Sequence, residues 1–146
     1  MFEERFINSK GKPIEYKGKT IYMIDYFDVP IGKSKIRVEF ISTDSDWKQG
    51  IELQINGNLI VNNQKLSKGT RLWKDSAPKS AKIELNSKDG KLMVMNIWDH
   101  GDGITQKWHN GGAMYFEETK NGKIYYCNDG HPNDDFNDLI FNIERI

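Results

Sequence analysis

Five side chains that carry oxygen, Asp129, Asn133, Asp135, Asn137 and Asp138, fall within ten positions, directly ahead of an apolar stretch that begins at Leu139. Hard cations such as Ca²⁺ take about six to eight oxygen ligands, and short Asp/Asn-rich loops supply them. In an extended loop alternate positions project to one side, so Asn133, Asp135 and Asn137 can converge on one ion. Asp138 could bridge to a second ion or turn back, and Asp129 could reach in from the start of the loop. Mixing amide and carboxylate oxygens keeps the summed charge near that of the cation; Mg²⁺ fits less well, because it retains waters. The same residues are also turn formers, since Asn, Asp and Gly bond their own backbone and tolerate unusual φ. Both readings stay open at this level.

A second group runs from Trp98-Asp-His100-Gly-Asp102-Gly to Trp108-His-Asn110-Gly-Gly112. Trp98, His100, Asp102, Trp108 and Asn110 combine amphipathic rings with hydrogen-bonding side chains next to glycine-rich bends. Such rings stack on the apolar face of a sugar or anchor a protein interface, while Asp, Asn and His meet hydroxyls. The alternative is that both tryptophans belong to the core.

The acidic loop is similar to that of the calcium-dependent fucose- and mannose-binding bacterial lectins, whose penultimate loop reads Glu-x3-Asp-x-Asp-x-Asn-Asp and leads into the final strand. Asp129 stands where that family has its Glu, Asn133 replaces the first Asp, and Asp135, Asn137 and Asp138 match. Phe136 before the Asn-Asp pair fits as well. The likeness covers residues 129–146 and extends to other bacterial β-sandwich domains that end in an Asp-aromatic-Asn-Asp-apolar strand. It implies a β-sandwich, calcium in the loop and a carbohydrate ligand.

Other chemistry finds less support. His100, His109 and His131 could join Asp99 or Asp102 around zinc, but no two of them share a short-range ligand spacing. No nucleophile elbow, phosphate loop or dinucleotide fingerprint occurs. Glu117 and Glu118 would point to opposite faces of a strand, which disfavours joint acid–base work. Cys127 is the one cysteine, so an internal disulfide is impossible, and its place in Ile124-Tyr-Tyr-Cys127 suggests an inert buried thiol.

With 146 residues, 37% of them hydrophobic, the chain suits one core and a single domain spanning 1–146. Twenty-one basic residues balance twenty-one acidic ones, which argues against a nucleic-acid partner. Neither a secretory leader nor a run long enough to span a membrane is visible, so the expectation is a cytoplasm-compatible chain, with export by a non-classical route left open.

Strands must position both groups. Period-2 alternation recurs at Ile36–Phe40, Ile51–Ile55, Ala81–Leu85 and Leu139–Ile143, as a strand with one wet face requires. Residues 91–98 are apolar on both faces and predict a doubly covered central strand. Asn56-Gly57, Asp89-Gly90 and Asn121-Gly122 predict three hairpins, residues 62–80 predict a crossing loop with a short strand near 70–73, and helix signals are nearly absent. The expectation is therefore an all-β antiparallel sandwich of jelly-roll or Greek-key type with nine or ten short strands. Its expected role is a non-enzymatic, calcium-dependent carbohydrate-binding module. The alternatives are a metal-free protein–protein module, such as an inhibitor or toxin-neutralising partner, and a hydrolase with a His/Asp site around 98–110.

Overall fold

The computed structural model describes residues 2–146. A short helix α1 (Phe2–Asn8) and a small hairpin, β1 (Ile14–Tyr16) with β2 (Lys19–Ile21), precede the main sheet. Eight strands follow: β3 (Asp25–Asp28), β4 (Gly32–Thr43), β5 (Lys48–Val61), β6 (Gln64–Trp73), β7 (Ser80–Asp99), β8 (Ala113–Glu118), β9 (Gly122–Asn128) and β10 (Leu139–Arg145). They form one antiparallel sheet in the order β6-β5-β7-β4-β10-β9-β8, with β3 also paired to β7.

The long strand β7 makes the sheet double over. Its first half pairs with β4 and its second half with β3, while β5 runs along its other edge. The β3 side returns to β8 through an isolated Tyr22–Met114 bridge, closed by hydrogen bonds of 2.7 and 2.9 Å. The result is a sandwich-like all-β body whose interior collects Ile36, Val38 and Phe40 of β4, Ile51 and Leu53 of β5, and Phe141 and Ile143 of β10. These are the positions that alternation assigned to the inner faces. Residues Leu92, Val94, Met95, Ile97 and Trp98 of β7 are all buried, as expected for a strand covered on both faces. Each such side chain contributes about 1.5–3 kcal/mol by leaving water. Inside, Asp25 of β3 accepts from the Tyr125 hydroxyl (2.6 Å) and Lys123 Nζ (2.9 Å) of β9, so a buried ion pair ties the two layers.

Four local expectations need correction. Asn56-Gly57 does not reverse the chain: β5 continues through it, and Gly57 (φ 146°) sits in a bulge where a Cβ would stand 1.9 Å from the Asn86 carbonyl oxygen. The reversal comes at Asn62-Asn63, both at positive φ (55° and 65°), between paired residues Val61 and Gln64. Asp89-Gly90 likewise makes an outward bulge within β7, fastened by Asp89 Oδ1 accepting from Lys91 N and by Ser87 Oγ accepting from Gly90 N. Residues 64–73 form a full strand, not a loop. Because β6 is the sheet's edge, its burial pattern is mostly exposed and the alternation is faint. Helix α1 is too short to display a periodic face; it buries only Phe2 and Phe6.

The candidate binding cleft

β9 and β10 are neighbours, with Leu139 opposite Cys127, so residues 129–138 form a connection at one end of the sheet. Its two ends clamp each other: Asp129 N donates to Asp138 Oδ2 (2.9 Å), and Asp138 N donates to the Cys127 carbonyl (3.1 Å). The Asn128 amide fills the loop interior, accepting from Phe136 N (2.7 Å) and donating to the Asn133 carbonyl (3.0 Å). Phe136 turns inward at positive φ (54°) and packs against Phe2 and Tyr115.

The carboxylate of Asp129 is fully buried and works as a hub. Oδ2 accepts from Ser45 Oγ (2.6 Å) and Gln49 Nε2 (2.9 Å), and Oδ1 accepts from His131 N (2.9 Å). Ser45 Oγ also accepts from Trp47 N (3.1 Å), and Gln49 Nε2 also donates to the Trp47 carbonyl (3.3 Å). One acid therefore fixes both the β4–β5 turn that carries Trp47 and the loop that carries His131. The two rings stack, with centroids 4.2 Å apart and planes 24° apart, and the His100 ring lies 5.6 Å from Trp47 on a tilt. Asp138 is also buried. Removal from water, then the Asp129 charge, raises its carboxyl to about 6, against the pull of the Asp129 N–H.

Segment 99–112 reaches the same end of the sheet. Asp99 opens it, its Oδ1 accepting from Gly101 N (2.8 Å) and Gly103 N (3.2 Å). Trp98 and Gln106 exchange backbone hydrogen bonds, and Lys107 Nζ donates to the buried Glu52 carboxylate (2.6 Å), which Arg71 also engages (2.8 Å). Burial alone would raise the Glu52 carboxyl, but the bonds from Lys107, Arg71 and Gln54 outweigh it and hold it below the usual range. Gly111 and Gly112 then permit close approach. A Cβ on Gly112 would stand 2.5 Å from the Trp98 ring, and one on Gly111 2.5 Å from the His131 carbonyl oxygen.

The two loops consequently meet around a cleft of about 220 Å³. Trp47, His100, Gln106, His109, Asn110 and Glu3 surround it, with Trp98 and Gly130 completing the wall. His109 Nδ1 lies 3.1 Å from Glu3 Oε1, and Glu3 N donates to the Asn110 carbonyl (2.9 Å), so helix α1 is docked at the rim.

Of the expected ligand-surface residues, Trp98, His100 and Asn110 border this cleft. Trp98 is 1% exposed and serves as wall more than as contact. Asp102 is on the exposed outer turn, where its Oδ1 accepts from Ile104 N, and Trp108 turns aside to donate from Nε1 to the Met23 carbonyl (3.1 Å). Trp47, Gln106, His109 and Glu3 were not anticipated as cleft residues. A lone Trp beside a Ser/Asp turn and an acid near the N-terminus carry no spacing signal.

The five expected metal ligands have different surroundings. Asp129 and Asp138 are buried and bonded to protein donors, Asn133 and Asp135 are exposed, and Asn137 donates from Nδ2 to Asp44 Oδ2 (3.2 Å). Among the described residues no three His, Cys, Asp or Glu side chains are placed to hold a metal ion, and this covers the three histidines. The two buried acids, Asp129 and Asp138, fasten loops together. Cys127 is buried, which pushes its thiol well up. Among the described residues no helix is long and apolar enough to cross a membrane. Comparison with protein-family models, with curated proteins and with solved structures finds no match for this chain.

Proposed function

We propose that the cleft between the two loops binds carbohydrate and that the protein is a non-enzymatic binding module. The observation that carries this reading is the union of Trp47, His131 and His100 with Asn110, Gln106 and Glu3 at one sheet end. A sugar ring offers hydroxyls that both donate and accept, and C–H faces that pack on aromatic edges. The cleft offers imidazoles, two amides and a carboxylate for the first, and indole and imidazole rings for the second. Its volume suits a single sugar ring. Among the described residues one carboxylate, Glu3, lines it, whereas glycoside hydrolysis ordinarily uses a pair flanking the bond. The reading needs no ion at the cleft, since Asp129, Asp134 and Asp138 already have protein donors.

A glycan array, followed by calorimetry on the best binder, tests this. Specific retention of one glycan class is expected, and Trp47→Ala should weaken it by about tenfold or more, about 1.4 kcal/mol. Absence of any glycan binding at millimolar ligand, or binding unchanged in a folded Trp47→Ala protein, would overturn the reading and leave a protein partner as the occupant.

A further inference from the structure

A second cavity, of about 380 Å³, shares a wall with the cleft. Neighbouring residues line the two: Glu3 the cleft and Phe2 the second cavity, Asn110 and the adjacent Gly111, then Gly130 and Pro132 on either side of His131. Ligand pockets usually hold about 300–1,000 Å³. The second cavity reaches that range and the cleft does not, so together they suit a ligand longer than one ring. The second cavity also has its own character. Phe2 and Tyr16 supply apolar ring surface, Asn133 supplies an amide, and Arg5 supplies a cation.

Arg5 is exposed, and its one side-chain hydrogen bond among the described residues runs from Nη2 to the Glu15 carbonyl oxygen (2.6 Å). Its guanidinium stands 5.9 Å from the Tyr16 ring centroid. Arginine has five N–H donors in a planar fork, so most remain for a ligand. The acid in the same cavity, Asp134, is already paired: its Oδ2 accepts from Lys17 Nζ (2.9 Å), which is not part of the lining, and from the Tyr16 hydroxyl (2.7 Å). The cavity therefore carries one uncompensated positive charge next to a sugar-sized cleft.

We infer that the ligand is an acidic oligosaccharide whose neutral ring occupies the Trp47 cleft and whose carboxylate-bearing ring meets Arg5 in the second cavity. This rests on the carbohydrate reading and adds ligand length and charge to it. A planar carboxylate matches the guanidinium fork in two parallel hydrogen bonds, which a lysine cannot reproduce.

The test uses the full chain and arrays carrying uronic-acid oligosaccharides beside the same oligosaccharides with each carboxylate reduced to a hydroxymethyl group. The wild type should favour the acidic member of a pair by about tenfold. Arg5→Gln should erase that preference while keeping the neutral affinity, and Arg5→Lys should restore it only in part. Trp47→Ala should weaken both members. If the wild type binds neutral and reduced glycans as tightly as acidic ones, or if Arg5→Gln retains the preference, the acidic-ligand inference fails and the carbohydrate reading survives. Binding of neither set overturns both.

Discussion

The imidazole of His131 lies flat on the indole of Trp47, although the two belong to separate turns. Both are held there by the carboxylate of Asp129, which accepts from the His131 backbone and from Ser45 and Gln49 on either side of Trp47. A buried acid thus converts two loops into one surface. Replacing Asp129 by Ala should leave three donors without their acceptor, at about 1–3 kcal/mol for each that stays buried. Chemical denaturation should show a loss of several kcal/mol, and Trp47 fluorescence should report a loosened turn before global unfolding.

Asp138 gives the fold a pH dependence of definite sign. Its carboxyl is raised to about 6 in the folded protein, against about 3.9 for a free Asp. The folded state therefore holds the proton more tightly. The associated stabilisation is complete below the unfolded value and is lost as pH rises through 6. Asp138→Asn should remove this slope, which lies between about pH 4 and pH 6, and raise stability at the upper end by on the order of 2 kcal/mol. Urea unfolding at the two pH values measures it; a wild type equally stable at both would contradict the assignment.

Glu52 anchors segment 99–112 from beneath, through Lys107 and through Arg71, whose Nη1 also donates to Thr105 (3.3 Å). Glu52→Gln should keep the sheet and release the segment. Amide exchange should quicken at 100–112 while β7 stays protected. The global cost should be modest, about 1–2 kcal/mol, because both cations can return to water. Exchange rates unchanged in the segment would show that its backbone bonds suffice.

Gly112 carries the contact between the segment and Trp98, and Ala there would need space that the indole occupies. Overpacking of this kind costs about 1–3 kcal/mol. Thermal melting of Gly112→Ala checks it, with a lowered midpoint expected; a neutral effect would mean that Trp98 can shift.

Calcium should leave the melting temperature where it is. An ion held at a hundred times its dissociation constant would stabilise by ~2.7 kcal/mol. A clear upward shift on adding Ca²⁺ after EDTA would reinstate the acidic loop as a metal site.

The sheet was legible in the sequence because inner faces alternate. Ile36, Val38, Phe40, Ile51, Leu53, Leu139, Phe141 and Ile143 are buried where the pattern put them. Turn positions were less legible, because Asn-Gly suits a bulge as well as a hairpin and tertiary contact with Asn86 chose the bulge. At the site, types were readable and partners were not. Asp129 and Asp138 look like ligands by spacing, but their roles depend on Ser45, Gln49 and a neighbouring strand end. Trp47 and Glu3 reach the cleft only through strand order and helix docking, which no local pattern encodes.

The most direct test of the cleft is chemical-shift mapping of isotope-labelled protein titrated with the glycan that the array selects. Perturbations should concentrate on the Trp47 indole N–H and on His100, Asn110, Gly130 and His131, reaching Arg5 for an acidic oligosaccharide. Perturbations confined to another face of the sheet, with Trp47 and His131 unmoved, would contradict the account.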